Sequence, residues 1–409
     1  MIEANQKNNA TRFVLLTVFC YSMGFGIIMP VLPELIVELE GVSMSEATLI
    51  GGFIAASYAV FQFLMGPLVG NLGDRFGRRP VFLLSLAGYS VDFCLMGFAP
   101  SIIWLFVGRA VAGALGAIFG PANAAMADMS SGEDRAKGFG LVGAAFGIGF
   151  MVGPAIGGLL GDFGTRTPFF VAAGLSAFAF VYGFFAFPET MPESSRRKFS
   201  FKRANPVGAL LSVRKIPGVL NISVIYFIWL TSTNIYPVSW AYFAPIRFAW
   251  DSKMIGLSLT LVGVSMAFVQ AVVLGRAVKR FGERYTAMVG LSVAVCAMLF
   301  HAFNSNASLA LLVILVVGLQ GMVMPSINAM MSRRTPPNSQ GELQGFNGSL
   351  AALAALLAPL IYNTTLSYYT SQNASVYFPG AAFLISSTLA IVALVWLYLL
   401  KPSQLNQQQ

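Results

Sequence analysis

The sequence predicts an all-α membrane protein: twelve transmembrane helices arranged as two pseudo-symmetric six-helix bundles. Three observations carry this prediction: the composition, the spacing of the apolar runs, and a repeat that links the two halves. Of 409 residues, 56% are hydrophobic and only 10% are charged, against ~25% charged in soluble domains. With the 41 glycines, about two-thirds of the chain is apolar, more than one water-facing core can bury. A soluble enzyme, a disordered chain and a collagen-like chain are excluded. A bilayer core of ~30 Å takes about 20 helical residues per crossing. Such runs lie near residues 12–35, 48–72, 80–98, 102–127, 137–160, 168–187, 218–243, 254–278, 285–303, 308–331, 342–366 and 376–400. The repeat aligns Gly70-Asn-Leu-Gly-Asp74-Arg75-Phe76-Gly77-Arg78-Arg79 with Gly275-Arg-Ala-Val-Lys279-Arg280-Phe281-Gly282-Glu283-Arg284 at an offset of 205. Each copy follows the second span of its half, as duplication of a six-helix unit requires.

Taken in order, the first run from Phe13 to Leu35 is too long for a signal-peptide core and lacks an A-x-A cleavage site, so it is a membrane span. In the second run Tyr58 and Gln62 share one helix face at i, i+4. The turn between the second and third runs holds Gly70, Asp74, Arg75, Gly77, Arg78 and Arg79. Its glycines let helix ends approach closely, and Asp74 can pair with a basic neighbour or face a helix N-terminus. Asp128 and Glu133-Asp134-Arg135 fall on the same membrane side, so a charge cluster that makes and breaks with conformation competes with a plain positively charged turn.

Asp92 is the acidic residue well inside a span. An ionised carboxylate there costs about 2.5–3.5 kcal/mol on insertion scales, so it needs a partner or an aqueous cavity. It lies ~18 Å from the start of the third run, and Arg109 lies ~10 Å from the start of the oppositely directed fourth. Their depths nearly coincide in a ~30 Å core. The pair can serve proton coupling or act as a static structural bridge. The fifth run carries Gly140, Gly149, Gly153, Pro154, Gly157 and Gly158, which form a groove for a neighbouring helix and a proline bend. Asn234, Trp240 and Gln270 join Tyr58 and Gln62 as candidate cavity groups, each with bonding to a neighbouring helix as the alternative. Met324, Phe25 and Phe61 are expected to pack, and His301 to sit near the membrane interface at the outer end of the ninth span.

The net charge of +9 sits in short clusters between apolar runs, the arrangement that encodes membrane topology and not a nucleic-acid-binding face. With the N-terminus inside, 21 of the 25 Lys and Arg fall on the cytoplasmic side, which predicts that both termini are cytoplasmic. The longest polar connection divides the chain into an N-terminal bundle (1–187), a basic cytoplasmic loop (188–217), a C-terminal bundle (218–400) and a polar tail (401–409). Cys20, Cys94 and Cys296 lie inside apolar runs without metal spacing, and neither a metal nor a cofactor is expected.

The turn between the second and third runs, Gly66 to Pro80, resembles the signature loop of the major facilitator superfamily, and the Lys279 copy fits the duplication that family implies. The glycine spacing of the fifth run resembles the antiporter motif of the drug:proton exporters in that superfamily. Met23 to Pro33 is similar to the same exporters, and Leu84 to Gly88 with Asp92, Gly108-Arg109-Ala-Val-Ala-Gly113, Phe268-Val-Gln270-Ala271, Ala329 to Arg333 and Gln340 to Gly345 resemble the tetracycline-resistance exporters in particular. The resemblance covers nearly the whole chain. It implies a proton-coupled antiporter of the inner or plasma membrane, working as a monomer, that exports a small amphipathic drug or metabolite by alternating access. Protons, the small-molecule substrate and the lipid bilayer are then its partners. Three positions depart from the exporters: an acidic residue of the first span is Tyr21 here, the eighth-span histidine is Met266, and the ninth-span aspartate is Ala294. These neutral groups motivate a second reading, a uniporter or proton symporter for a metabolite or siderophore. A membrane enzyme has no support from an HExxH, GxSxG or P-loop motif.

Overall fold

The computed structural model describes residues 4–116, 118–129, 133–196, 219–335 and 340–400, which are helical apart from turns and short connections. Among them, eleven helical segments are long and apolar enough to cross a membrane. One of these, Ser252–Phe303, has 52 residues, and an unbroken helix of that length would run about 78 Å, well beyond a bilayer. It is broken at Gly282, with φ 77° and ψ 167°, and so supplies two crossings. That brings the crossings among the described residues to twelve.

The first helix, α1 (Ala4–Ile28), ends earlier than the apolar run to residue 35 implies. Pro30 and Pro33 cannot donate to a helical ladder, so the chain turns and restarts as α2 (Leu32–Glu40), closed by left-handed Gly41. α3 (Met44–Phe76), α4 (Arg78–Gly97), α7 (Glu133–Gly161) and α8 (Thr167–Ala186) are continuous. The fourth crossing is interrupted, with α5 (Ile102–Leu115) and α6 (Phe119–Met129) separated at Gly116. In the second half, α9 (Val219–Thr233) and α10 (Ile235–Phe248) share the seventh crossing. α11 (Ser252–Phe268) passes through a π-helical segment, Val269–Val273, into α12 (Leu274–Phe303). α13 (Ala307–Val317) and α14 (Val323–Ser332) are joined by a 3-10 segment, Gly318–Met322; α15 (Gln340–Thr370) and α16 (Ala381–Leu399) complete the chain.

The chain packs as two compact units. The first holds Met1–Val42, Ser57–Asn205 and Ser252–Thr260. Its aromatic core includes Phe13, Phe82 and Phe187, with ring centroids 4.3–6.1 Å apart. The second holds Ser43–Ala56, Pro206–Asp251 and Leu261–Gln409, around a cluster of Tyr236, Trp240, Phe243, His301 and Phe383. Residues 197–217 of the basic loop, the tail 401–409 and the side chains of Glu133, Asp134 and Arg135 lie outside the described residues.

Candidate functional site

One face of α4 organises the polar interior of the first unit. Ser85, Gly88, Tyr89 and Asp92 follow the i, i+3, i+4, i+7 spacing that lines one helical stripe, and all four meet the fourth crossing. Because α5 stops at Gly116, its last carbonyls lose helical partners, and α4 supplies substitutes. Ser85 Oγ donates to the Leu115 carbonyl at 2.5 Å, and Tyr89 Oη donates to the Gly116 carbonyl at 3.0 Å. A Cβ on Gly88 would meet Leu115 at 2.8 Å. Farther along the stripe, Asp92 receives the Arg109 guanidinium in two-point fashion, Nε to Oδ1 at 3.3 Å and Nη2 to Oδ2. Asp92 is fully buried and Arg109 is 4% exposed. Gly108 makes the approach possible, since a Cβ there would lie 2.7 Å from Asp92 Oδ1. Phe93 and Tyr58 place their rings 5.5 and 5.8 Å from the guanidinium carbon, a distance at which cation–π attraction contributes.

Three phenols adjoin this pair. Tyr21 Oη lies 3.0 Å from Tyr58 Oη, which lies 3.1 Å from Tyr89 Oη. A phenol has one proton to donate, and a carbonyl can only accept. Tyr89 spends its proton on Gly116, so Tyr58 must donate to Tyr89, and Tyr21 must donate to Tyr58. The chain therefore has one direction, from Tyr21 to the broken helix. Gln62 Nε2 adds a donor to Tyr58 at 3.0 Å.

At one end of the same unit, Arg78 bridges two carboxylates: Nη1 lies 2.9 Å from Asp74 and Nε 3.1 Å from Asp128. Gly77 turns the chain at φ 100°, a conformation that suits glycine. Arg79 donates to the Phe184 carbonyl of α8 at 2.5 Å. Arg75 is exposed and lies over the Phe76 ring, and a Cβ on Gly70 would meet nothing within 4 Å among the described residues. The sequence reading missed Glu189, whose carboxylate accepts the backbone N–H groups of Arg78 and Arg79 at 2.8 and 3.2 Å. It supplies the negative charge that a helix N-terminus favours.

The glycines of α7 divide by face. Cβ atoms on Gly149, Gly153 and Gly157 would strike the backbone of α1 at Phe19, Met23 and Ile27. Gly158 instead meets Ser252 and Lys253, while Gly256 meets the Pro154 carbonyl. A Cβ on Gly140 would meet nothing within 4 Å among the described residues.

The candidates of the second unit are dispersed. Asn234 Nδ2 donates to the Leu230 carbonyl one turn back, at 2.6 Å. Trp240 is 1% exposed inside the aromatic cluster. Met266 and Gln270 share a face over Gly321, where a Cβ would lie 3.5 Å from either side chain, and Gln270 belongs to the π-helical segment. His301, near the end of α12, is fully buried, with Nδ1 3.5 Å from Tyr236 Oη. Phe25 stacks on Phe150. Phe61 and Met324, expected to pack, are instead 37% and 44% exposed.

The family model of the Major Facilitator Superfamily matches residues 14–359 and, in a second match, 222–409. The tetracycline resistance protein, class C, of Escherichia coli is 36% identical over 389 residues, covering 95% of this chain and 96% of that protein. Multidrug resistance protein 2 of Bacillus subtilis (strain 168) is 27% identical over 368 residues, covering 87% of this chain and 88% of its own. Among solved structures, the human organic anion transporter MFSD10 superposes with a TM-score of 0.73 at 23% identity, over 96% of this chain and 99% of that one. At that identity the likeness concerns the fold.

Proposed function

The chain belongs to the major facilitator superfamily, and on that premise we propose that it exports a small amphipathic compound, tetracycline-like drugs included, in exchange for protons. It is a multi-pass membrane transporter related to tetracycline efflux and multidrug resistance proteins, and not an enzyme. The observation that carries the antiport reading is the buried Asp92–Arg109 pair. An ion pair in a membrane interior is retained where it works. Asp92 has no exposed surface, so a proton reaches it only when the pair opens. Protonation removes the charge that holds Arg109, and the freed guanidinium then needs another acceptor or a rearranged bundle. Substrate and proton oppose each other's binding, and linkage makes that opposition reciprocal.

In this reading the bundles 1–187 and 218–400 perform alternating access, with both termini in the cytoplasm of a cell whose inner or plasma membrane holds the protein. Tyr21, Tyr58 and Gln62 are the groups of the first unit that contact substrate. The charge cluster of Asp74, Arg78 and Asp128 gates the cycle. The neutral side chains at Tyr21, Met266 and Ala294 favour the second reading, a uniporter or proton symporter for a metabolite or siderophore. Everted membrane vesicles separate the two. Antiport predicts that tetracycline accumulation collapses to its equilibrium level when a protonophore dissipates the gradient. Entry that never exceeds the equilibrium level, with or without the protonophore, would leave uniport, and gradient-driven loss of the compound from the acid lumen would leave proton symport.

A further inference from the structure

The repeat at offset 205 extends beyond the turn in which the sequence displays it. Gly77 and Gly282 both take positive φ, 100° and 77°, with ψ of 168° and 167°. Each turns the chain into the third span of its half in the same way. Two residues on, Arg79 and Arg284 have the same task. Arg79 donates to Phe184 near the end of α8, and Arg284 donates to Leu397 and Tyr398, at 3.1 and 2.7 Å, near the end of α16. Between glycine and arginine the signs change. Asp74, Arg78 and Asp128 stand 205 residues before Lys279, Glu283 and Arg333. Arg78 Nε lies 3.1 Å from Asp128 in the first unit, and Arg333 Nη2 lies 2.8 Å from Glu283 in the second. The ion pair is kept and both of its charges are exchanged.

Exchanging both signs leaves the Coulomb attraction as it was, but it alters how each charge meets the helix ends. Arg78 opens α4 and Asp128 lies in the last turn of α6. A cation at an N-terminus and an anion at a C-terminus both oppose the helix dipole, and Glu189 has to serve the first N–H groups of α4 from outside. In the second unit Glu283 itself opens the helical segment after Gly282, and Arg333 is the C-cap of α14. Both charges now sit at the ends that favour them. Glu283 is 11% exposed and Arg333 75% exposed, so the pair joins a shielded carboxylate to a surface cation, and removing Arg333 leaves that carboxylate without its partner.

We infer that Glu283 and Arg333 are positioning residues of the second half, a fixed clamp between the start of the ninth span and the end of the tenth. The inference goes beyond the transport reading and does not depend on which compound is carried.

The test is a charge-exchange cycle on the full chain, purified in detergent and reconstituted in everted vesicles. Glu283→Arg and Arg333→Asp each put like charges together and lower Tm by about 4–6 °C. The double variant, which carries the first-half signs, recovers most of that loss yet stays below wild type because its charges oppose the dipoles. Additive losses in the double variant, or single variants at the wild-type Tm, overturn the clamp. Transport distinguishes positioning from bulk stability when measured well below every Tm. The single variants lower the maximal rate of tetracycline-driven proton release about tenfold, with the half-saturating tetracycline concentration unchanged. Arg333→Lys and the double variant retain the rate. Single variants that lose Tm but keep the full rate overturn the positioning role. Should Glu283→Arg not reach the membrane, Glu283→Gln and Arg333→Gln, singly and together, measure the coupling instead: a double variant that loses less Tm than the sum of the singles supports the clamp, and additive losses overturn it. If wild-type vesicles do not respond to tetracycline, the transport reading fails for that probe, and the Tm cycle decides the clamp by itself.

Discussion

Tyr21, Tyr58 and Tyr89 are identical side chains whose roles diverge through their anchoring. Tyr89 is tied to the carbonyl of a broken helix and passes its orientation to Tyr58, and Tyr58 passes it to Tyr21. Tyr89→Phe removes the bond to the Gly116 carbonyl and the acceptor of Tyr58, whereas Tyr21→Phe leaves that anchor in place. At about 1 kcal/mol per bond, loss of the Gly116 anchor makes the Tyr89 variant the less stable of the two. Thermal unfolding of the two purified variants checks this, and equal losses would show that the chain is not anchored at Gly116. Residues of this kind differ in how openly the sequence displays them. Asp92 and Arg109 were legible because charge is rare in an apolar run and helix rise converts position into depth. Glu189 was not, because one carboxylate beside a polar loop has no pattern, and its partners Arg78 and Arg79 lie more than 100 residues away in the chain. Tyr89 was overlooked because its hydroxyl is explained only by the break at Gly116.

Among elements, α7 shows why a glycine motif is not one thing. Gly153 faces the α1 backbone, and a Cβ there would lie 2.5 Å from the Met23 carbonyl. Backbone cannot rotate away as a side chain can, so Gly153→Ala forces the helices apart and costs about 1–3 kcal/mol. Gly140→Ala meets nothing among the described residues and gains up to ~1 kcal/mol in helix propensity. A Tm shift of opposite sign in the two variants is the expected result; a shared sign would mean that spacing, and not contact, governs the motif. The positions of the spans were legible from apolar length alone. Their ends and interruptions were not, since these follow from local backbone chemistry. Pro30 and Pro33 stop α1 at Ile28, Gly116 opens the fourth crossing, and the eighth passes through π-helical Val269–Val273. Periodicity cannot register the extra residue of a π-turn, although Gln270 sits within it.

For the whole molecule, duplication is the organising fact. It was readable in one ten-residue alignment, but the reach of that alignment was not. Asp128 and Arg333 occupy equivalent positions outside the loop, and opposite charges conceal their kinship until both are seen paired. The first unit gathers an ion pair, a directed hydroxyl chain and a charge cluster, whereas the polar candidates of the second are scattered and largely neutral. Such asymmetry is what a transporter needs if one half handles the proton and the other recognises an uncharged part of its cargo. Central to this account is Asp92 as the proton carrier. The direct measurement adds tetracycline to acid-loaded everted vesicles and follows lumenal pH with a dye, for wild type and Asp92→Asn at matched protein. The account predicts proton release from wild type and none from the variant. Wild-type proton stoichiometry in Asp92→Asn would contradict it.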